Sequence, residues 1–186
     1  MTAPIIRAFF DEPTNTVSYL VADPATKRAA VIDPVLDYDH AAGEVDIRSV
    51  EAILSMAAEE GWTIDWSLET HAHADHLSGA PYVKARTGAA IGIGEHIREV
   101  QRIFRPVFNA TDLKTDGSDF DRLFKDGETF KIGALDVEVL HTPGHTPACL
   151  AYRIGDAVFV GDTIFMPDYG TARADFPGGS SATLYR

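Results

Sequence analysis

The sequence predicts a mixed α/β or α+β fold, and three observations carry that reading. Short runs of β-branched and aromatic residues alternate with stretches whose apolar residues recur at helical spacing. The 186 residues are 45% hydrophobic and 24% charged, ordinary values for a chain with a sizeable core. No repeat, low-complexity tract or linker interrupts it, so a single domain over 1–186 is expected.

The elements follow in order. Ile5 to Phe10, Thr16 to Val21 and Ala29 to Ile32 read as strands, punctuated by Pro13, Asn15, Asp23 and Pro24 and ended by Asp33-Pro34. From Asp46 the period changes: Ile47, Val50, Ile53, Leu54, Ala57 and Ala58 mark a helix that Gly61 stops. Ile64, Trp66 and Leu68 alternate as a strand running into Glu69-Thr70-His71. A second helix is expected from Gly79-Ala80-Pro81 to Thr87, closed by Gly88. Ala89 to Ile93 is a short buried strand, and Ile97, Val100, Ile103 and Phe104 share one helix face. Ala110 to Asp121 is polar and acidic and reads as a loop. Thr129 to Ile132, Leu135 to Leu140, Cys149 to Ile154 and Ala157 to Val160 read as strands. Trp62 and Trp66 are read as core, Cys149 as a small core residue, and His40 and His96 as surface residues without ligand company.

Composition removes several function classes. With 16 Lys+Arg against 28 Asp+Glu the net charge is −12, the wrong sign for a nucleic-acid binder. One cysteine cannot form an internal disulfide. No apolar run approaches the roughly 20 residues that span a bilayer. Met1 to Phe10 lacks the pattern of a signal peptide, so a cytoplasmic protein is expected.

The chemistry concentrates in three places. Thr70-His71-Ala72-His73-Ala74-Asp75-His76-Leu77-Ser78-Gly79 packs three histidines and an aspartate between a strand and a helix. Imidazole nitrogen and carboxylate oxygen both ligate zinc and iron, and the small alanines let the loop curl. A chance cluster of surface histidines is the bland alternative, and the spacing argues against it. His141-Thr142-Pro143-Gly144-His145-Thr146 also follows a strand, with Pro143 and Gly144 shaping a turn that presents His145. Read alone, His145 could be an ordinary turn residue; His141 reads as a packing residue or one that supports a ligand by a hydrogen bond. Val158-Phe159-Val160-Gly161-Asp162-Thr163 delivers Asp162 at a strand end, a turn former by itself and a ligand candidate in this company.

Together these elements resemble the metallo-β-lactamase superfamily, across nearly the whole chain. That resemblance implies a four-layer αβ/βα sandwich with metals held by loops at one edge of two facing sheets. Ala172-Arg173-Ala174-Asp175-Phe176, with Gly178-Gly179 and Thr183-Leu184-Tyr185, is similar to the Gly-Arg-x-Asp-Phe segment of the persulfide dioxygenases, except for Ala172 where Gly is common. Asp33-Pro34-Val35 and Leu77-Ser78-Gly79-Ala80 also look like bacterial members of that branch. The branch oxidises glutathione persulfide with O2 to sulfite and glutathione. By resemblance the ligands of Fe(II) are His71, His145 and Asp162, with Zn(II) or Mn(II) as alternatives. His73, Asp75 and His76 are then orienting or vestigial, and Arg173 contacts a glutathione carboxylate or pairs with Asp175.

The alternative is a hydrolase similar to glyoxalase II. In it His71, His73 and His145 hold one metal, Asp75 and His76 the other, and Asp162 bridges them. Asp75 and His76 would then stand in the catalytic centre. A third reading is an inactive metal-binding fragment. Dinuclear members use a further late histidine, and none follows His145. The sequence also stops one turn after the N-cap candidates Ser180 and Ser181, so a missing C-terminal part is expected. The partner expected is a small-molecule thiol, not nucleic acid or membrane. A homodimer and a separate sulfurtransferase chain remain open.

Overall fold

The computed structural model describes residues 3–186; Met1 and Thr2, which begin the segment read for a signal peptide, lie outside the described residues. In chain order the elements are β1 (Ile5–Asp11), β2 (Thr16–Asp23), β3 (Arg28–Ile32), β4 (Val35–Asp39), β5 (Glu44–Asp46), α1 (Arg48–Glu59), β6 (Thr63–Leu68), β7 (Leu77–Ser78), α2 (Ala80–Thr87) and β8 (Ala90–Gly94). There follow α3 (Ile97–Val107), β9 (Arg122–Phe124), β10 (Thr129–Ile132), β11 (Leu135–His141), β12 (Leu150–Ile154), β13 (Ala157–Phe159), a 3-10 turn (Gly161–Thr163) and α4 (Ser181–Leu184). These elements group into two compact units interleaved along the sequence. One takes the chain through Glu69, His73–Ile91 and Phe130–Val137; the other takes Thr70–Ala72, Gly92–Thr129 and Glu138–Arg186.

In the first unit the sheet runs β1-β2-β3-β6. Its first three strands are antiparallel neighbours, with Ile5 opposite Ala22 and Tyr19 opposite Ile32. β6 lies parallel to β3, and α1 supplies the crossover that a parallel pair needs. The period-two residues Leu20, Ala22, Ala29 and Val31 meet the helical-period residues Val50, Ile53, Leu54 and Ala57 in one buried cluster with Ile64 and Val83. Each Leu, Ile or Val side chain among them removed from water contributes about 1.5–3 kcal/mol. Gly88 ends α2 in the left-handed region (φ +77), where its N–H reaches the Lys84 carbonyl.

Within the second unit, Gly92–Gly94 of β8 pair parallel with β9. Ile97 and Val100 of α3 pack with Ile93 and Ala148, and Phe104 and Leu123 close over them. β12 and β13 form an antiparallel hairpin, Tyr152 opposite Phe159. Ser180 caps α4, its Oγ accepting from the Thr183 N–H at 3.2 Å.

Several expectations need correction. The sequence reading gave no strand at β4, β5, β7 or β9, which have two to five residues. Trp66 is half-buried rather than core: its ring meets Phe130 edge-on, and its Nε1 donates to the Lys131 carbonyl at 3.2 Å. Cys149 is buried as expected, but it precedes β12. His96 belongs to no metal-ligand group among the described residues, as expected, and stacks on His141 at 4.3 Å and bonds Glu99. Among the described residues no helix is long and apolar enough to cross a membrane.

Candidate metal centre

His71, His145 and Asp162 come together in the second unit, each from a loop at a strand end. After β6 the chain turns, and the Thr70 carbonyl accepts from the Leu150 N–H at 3.0 Å, which fixes the start of the loop. Thr70 Oγ1 lies 3.0 Å from His71 Nδ1. The ring of His71 is 1% exposed. His145 follows β11 through Pro143 and Gly144. Gly144 takes φ +147, and a Cβ there would lie 2.6 Å from the Leu184 Cα, so this turn demands glycine. His145 Nδ1 donates to the Arg173 carbonyl at 2.7 Å, and Phe176 packs edge-on against the ring at 5.3 Å. Asp162 sits in the 3-10 turn after β13, where Gly161 takes φ +50. A Cβ at Gly161 would lie 2.8 Å from Thr70 Cβ.

These supports aim three donor atoms at one point. Asp162 Oδ2 is 3.7 Å from His71 Nε2 and 3.4 Å from His145 Nε2, with the rings 5.1 Å apart and nearly perpendicular. A carbonyl only accepts, so His145 carries its proton on Nδ1 and offers the Nε2 lone pair. Around an ion with bonds of about 2.0–2.1 Å, tetrahedral ligand atoms stand about 3.4 Å apart. The measured separations therefore fit a preformed set for a divalent ion. Two imidazoles and one carboxylate suit iron, zinc or manganese.

A second group lies in the first unit. His73, Asp75 and His76 place ligand atoms within 4.8 Å of one another, and the two imidazoles stack at 4.3 Å. His76 Nδ1 meets the Leu77 carbonyl at 2.9 Å, while its Nε2 is buried and makes no hydrogen bond. Such an orphaned nitrogen is what a bound cation would satisfy. Asp75 Oδ2 accepts from Thr16 Oγ1 at 3.0 Å. His73 Nε2 faces two buried carboxylates, Asp33 Oδ1 at 3.1 Å and Glu69 Oε2 at 3.2 Å. Burial works against the charged form of His73, but the charges and hydrogen bonds of Asp33 and Glu69 carry its pKa well above the ordinary imidazole value. Burial pushes the Glu69 carboxyl up, against the opposing hydrogen bond to His73.

Arg173, read from sequence as a substrate contact or an ion pair, is bidentate with Asp175 at 2.6 and 2.8 Å. Its guanidinium lies 4.8 Å from the centre of the Phe176 ring. Those hydrogen bonds hold the Asp175 carboxyl down at about 2. His141 bonds the Pro147 carbonyl through Nε2 at 2.9 Å, the packing role expected of it. Sequence reasoning assigned no role to Asp33, Glu69, Thr70, Phe176 or the Arg173 carbonyl. Only the structure marks Glu69: Ser67 to His71 is an unbroken buried run holding a carboxylate. A buried acid in such a run needs a partner.

The family model for the metallo-beta-lactamase superfamily matches residues 11–186. A beta-lactamase hydrolase-like protein of Xylella fastidiosa is 50% identical over 182 residues, 98% of this chain and 42% of that protein. The mitochondrial persulfide dioxygenase ETHE1 of Mus musculus is 29% identical over 98% of this chain and 61% of its own length. Among solved structures, ETHE1 from Myxococcus xanthus superposes with a TM-score of 0.77 at 30% identity, covering 97% of this chain and 66% of that one. The chain thus spans roughly two fifths to two thirds of the proteins it resembles. With the match of the family model, the mixed α/β fold and the clustered histidines and aspartates, the chain belongs to the metallo-beta-lactamase superfamily.

Proposed function

We propose that this chain carries the metal site of a non-haem iron persulfide dioxygenase. Its substrates would be a low-molecular-weight thiol persulfide such as glutathione persulfide, O2 and water, and its products sulfite and the thiol. The observation that carries this reading is the set of His71, His145 and Asp162, two imidazoles and one carboxylate aimed at one point. Fe(II) held there would supply open positions for O2 and the persulfide sulfur. Thr70 Oγ1 and the Arg173 carbonyl hold the two ring planes, and the burial of His71 keeps water from its nitrogen. Arg173 gives Nε and Nη2 to Asp175 and keeps its Nη1 donors for a substrate carboxylate. Asp175 thereby pre-orients the guanidinium. A cytoplasmic setting, with the persulfide supplied by a separate sulfurtransferase chain, completes the reading.

The second reading is a metallo-hydrolase acting on thioesters. It is favoured by the gathering of His73, Asp75 and His76, with the orphaned His76 Nε2 among them. An ion held there would lower the pKa of a bound water. Oxygen uptake by the anaerobically iron-loaded protein given glutathione persulfide separates the two. The dioxygenase reading expects uptake matched to sulfite formed. Absence of uptake, with rapid thioester hydrolysis by the zinc form, rejects it in favour of the hydrolase. A folded chain that binds no metal would reject both and leave an inactive fragment.

A further inference from the structure

We infer that Phe176 is a positioning residue: its one ring steadies both His145 and the Arg173 guanidinium, and so sets the reach between an ion and a substrate carboxylate. The inference deepens the proposed function and rests on the roles given there to His145 and Arg173.

A single hydrogen bond does not fix where an imidazole lies. The bond to the Arg173 carbonyl pins one nitrogen of His145 at 2.7 Å. The terminal torsion of a histidine is broad, however, so the ring can still tilt about that bond. Its plane needs a stop. Two rings stand nearly perpendicular to it, His71 at 5.1 Å and Phe176 at 5.3 Å. His71 is itself a candidate ligand, so the stop that does not depend on an ion is Phe176. Perpendicular rings at this spacing attract, because a ring edge is positive and a ring face negative.

The same ring backs Arg173. The guanidinium carbon lies 4.8 Å from the ring centre, inside the roughly 6 Å reach of a cation–π contact. The Arg173 side chain is 65% exposed, and an exposed ion pair orders a long side chain poorly. Asp175 holds two of its nitrogens, and Phe176 adds a flat surface behind them. The ring is anchored in turn by its own main chain, where the Phe176 carbonyl accepts from the Gly179 N–H at 2.7 Å. Residues 173 to 179 thus fold as a clasp. It closes on His145 with a main-chain oxygen at one end and an aromatic ring at the other. The substrate class that fits is a persulfide carrying a carboxylate at a set distance from its sulfur, since a guanidinium takes a carboxylate through paired N–H groups.

The test uses the whole protein with Phe176→Leu, which stays apolar but has no ring, and Phe176→Tyr, which keeps one. Zinc is titrated against a chromophoric chelator, and the visible bands of the cobalt form report the ligand geometry. Binding of S-methylglutathione to the zinc form is followed by calorimetry; this probe has both carboxylates and no thiol to give an ion. Phe176→Leu should weaken zinc about 2–12-fold, the worth of one edge-on aromatic pair. It should also shift the cobalt bands and weaken the probe about 2–5-fold. Phe176→Tyr should match wild type in all three. A Phe176→Leu protein that only melts earlier, with zinc, bands and probe as in wild type, makes the ring structural and overturns the inference. So does a change in the metal or in the probe without the other. Should Phe176→Leu not fold, Phe176→Trp decides: the larger ring must displace both neighbours, so unmoved bands or an unmoved probe affinity overturn it. A wild type that binds zinc but not the probe sinks this inference and leaves the His71–His145–Asp162 site standing. A wild type that binds both yet takes up no oxygen with glutathione persulfide rejects the dioxygenase reading and leaves the clasp standing.

Discussion

Gly161→Ala places one methyl group where the structure has no space for it. The residue takes φ +50, and its Cβ would lie 2.8 Å from Thr70 Cβ and closer still to Thr70 Oγ1. The left-handed backbone costs a non-glycine residue roughly 1–2 kcal/mol. Overpacking against Thr70 adds about 1–3 kcal/mol. The expected loss is therefore about 2–5 kcal/mol, a large share of the roughly 5–15 kcal/mol that holds a domain together. At about 2–4 °C per kcal/mol for a chain of this size, a central value of about 3 kcal/mol lowers Tm by about 6–12 °C. Thr70 can relieve the clash only by moving, and Thr70 Oγ1 is the partner of His71 Nδ1. Metal affinity should therefore fall together with stability. Urea unfolding of the metal-free protein, paired with chelator competition, measures both. Adding Thr70→Ala should recover part of the folding loss but none of the affinity. A single variant that loses less than about 1 kcal/mol and keeps its metal would refute the reasoning, since both costs come from the same contact.

Thr70→Val keeps the volume and removes only the hydroxyl, so metal binding should weaken about tenfold while the far-UV spectrum stays unchanged; unchanged affinity would mean that Oγ1 does not orient His71. Arg173→Ala leaves the main-chain carbonyl in place, so metal content should match wild type while KM for glutathione persulfide rises about tenfold, a loss typical of one charged contact. Loss of metal instead would show that the side chain shapes the His145 turn. Asp23 accepts from Thr26 Oγ1, the Ala134 N–H and the Ala25 N–H, which hold its carboxyl below the ordinary value. Its contribution is thus complete above the unfolded pKa of about 3.9 and is lost as the pH falls through the lower folded value. Asp23→Asn should be less stable at neutral pH and lose less on acidification; parallel acid limbs for the two proteins would contradict this.

The candidate ligands stood out in the sequence because each stands at the end of an apolar strand with a small residue or proline beside it. His71, His145 and Asp162, the set that the family resemblance implied, lie together in the structure. The helices were legible too, since α1 and α3 bury residues at the period the sequence shows and Pro81 and Gly88 mark the ends of α2. Illegible were the groups that aim the ligands. The Arg173 carbonyl belongs to the backbone and leaves no trace in residue type, and the sequence drew attention to that guanidinium instead. Glu69 looked like one more acid in an acidic chain, and only its burial beside His73 distinguishes it. Short β4 and β7 were missed for a related reason: they exist through pairing Val35 with Ser78 and Leu36 with Leu77, partners some forty residues apart.

The anchoring of His145 by a main-chain oxygen separates two properties that active sites usually bind together. A side-chain anchor makes the metal site hostage to one residue type, so any drift in substrate preference at that position damages the ligand set. Here the side chain at position 173 can be exchanged while the oxygen stays, provided the chain keeps its path. That path is guarded by Gly179, where a Cβ would crowd the Ala174 and His145 carbonyls at 2.7 and 2.9 Å. With Arg173 meeting substrate and His145 a metal as proposed, a protein built this way can explore new substrates through position 173 without first relearning how to hold that metal.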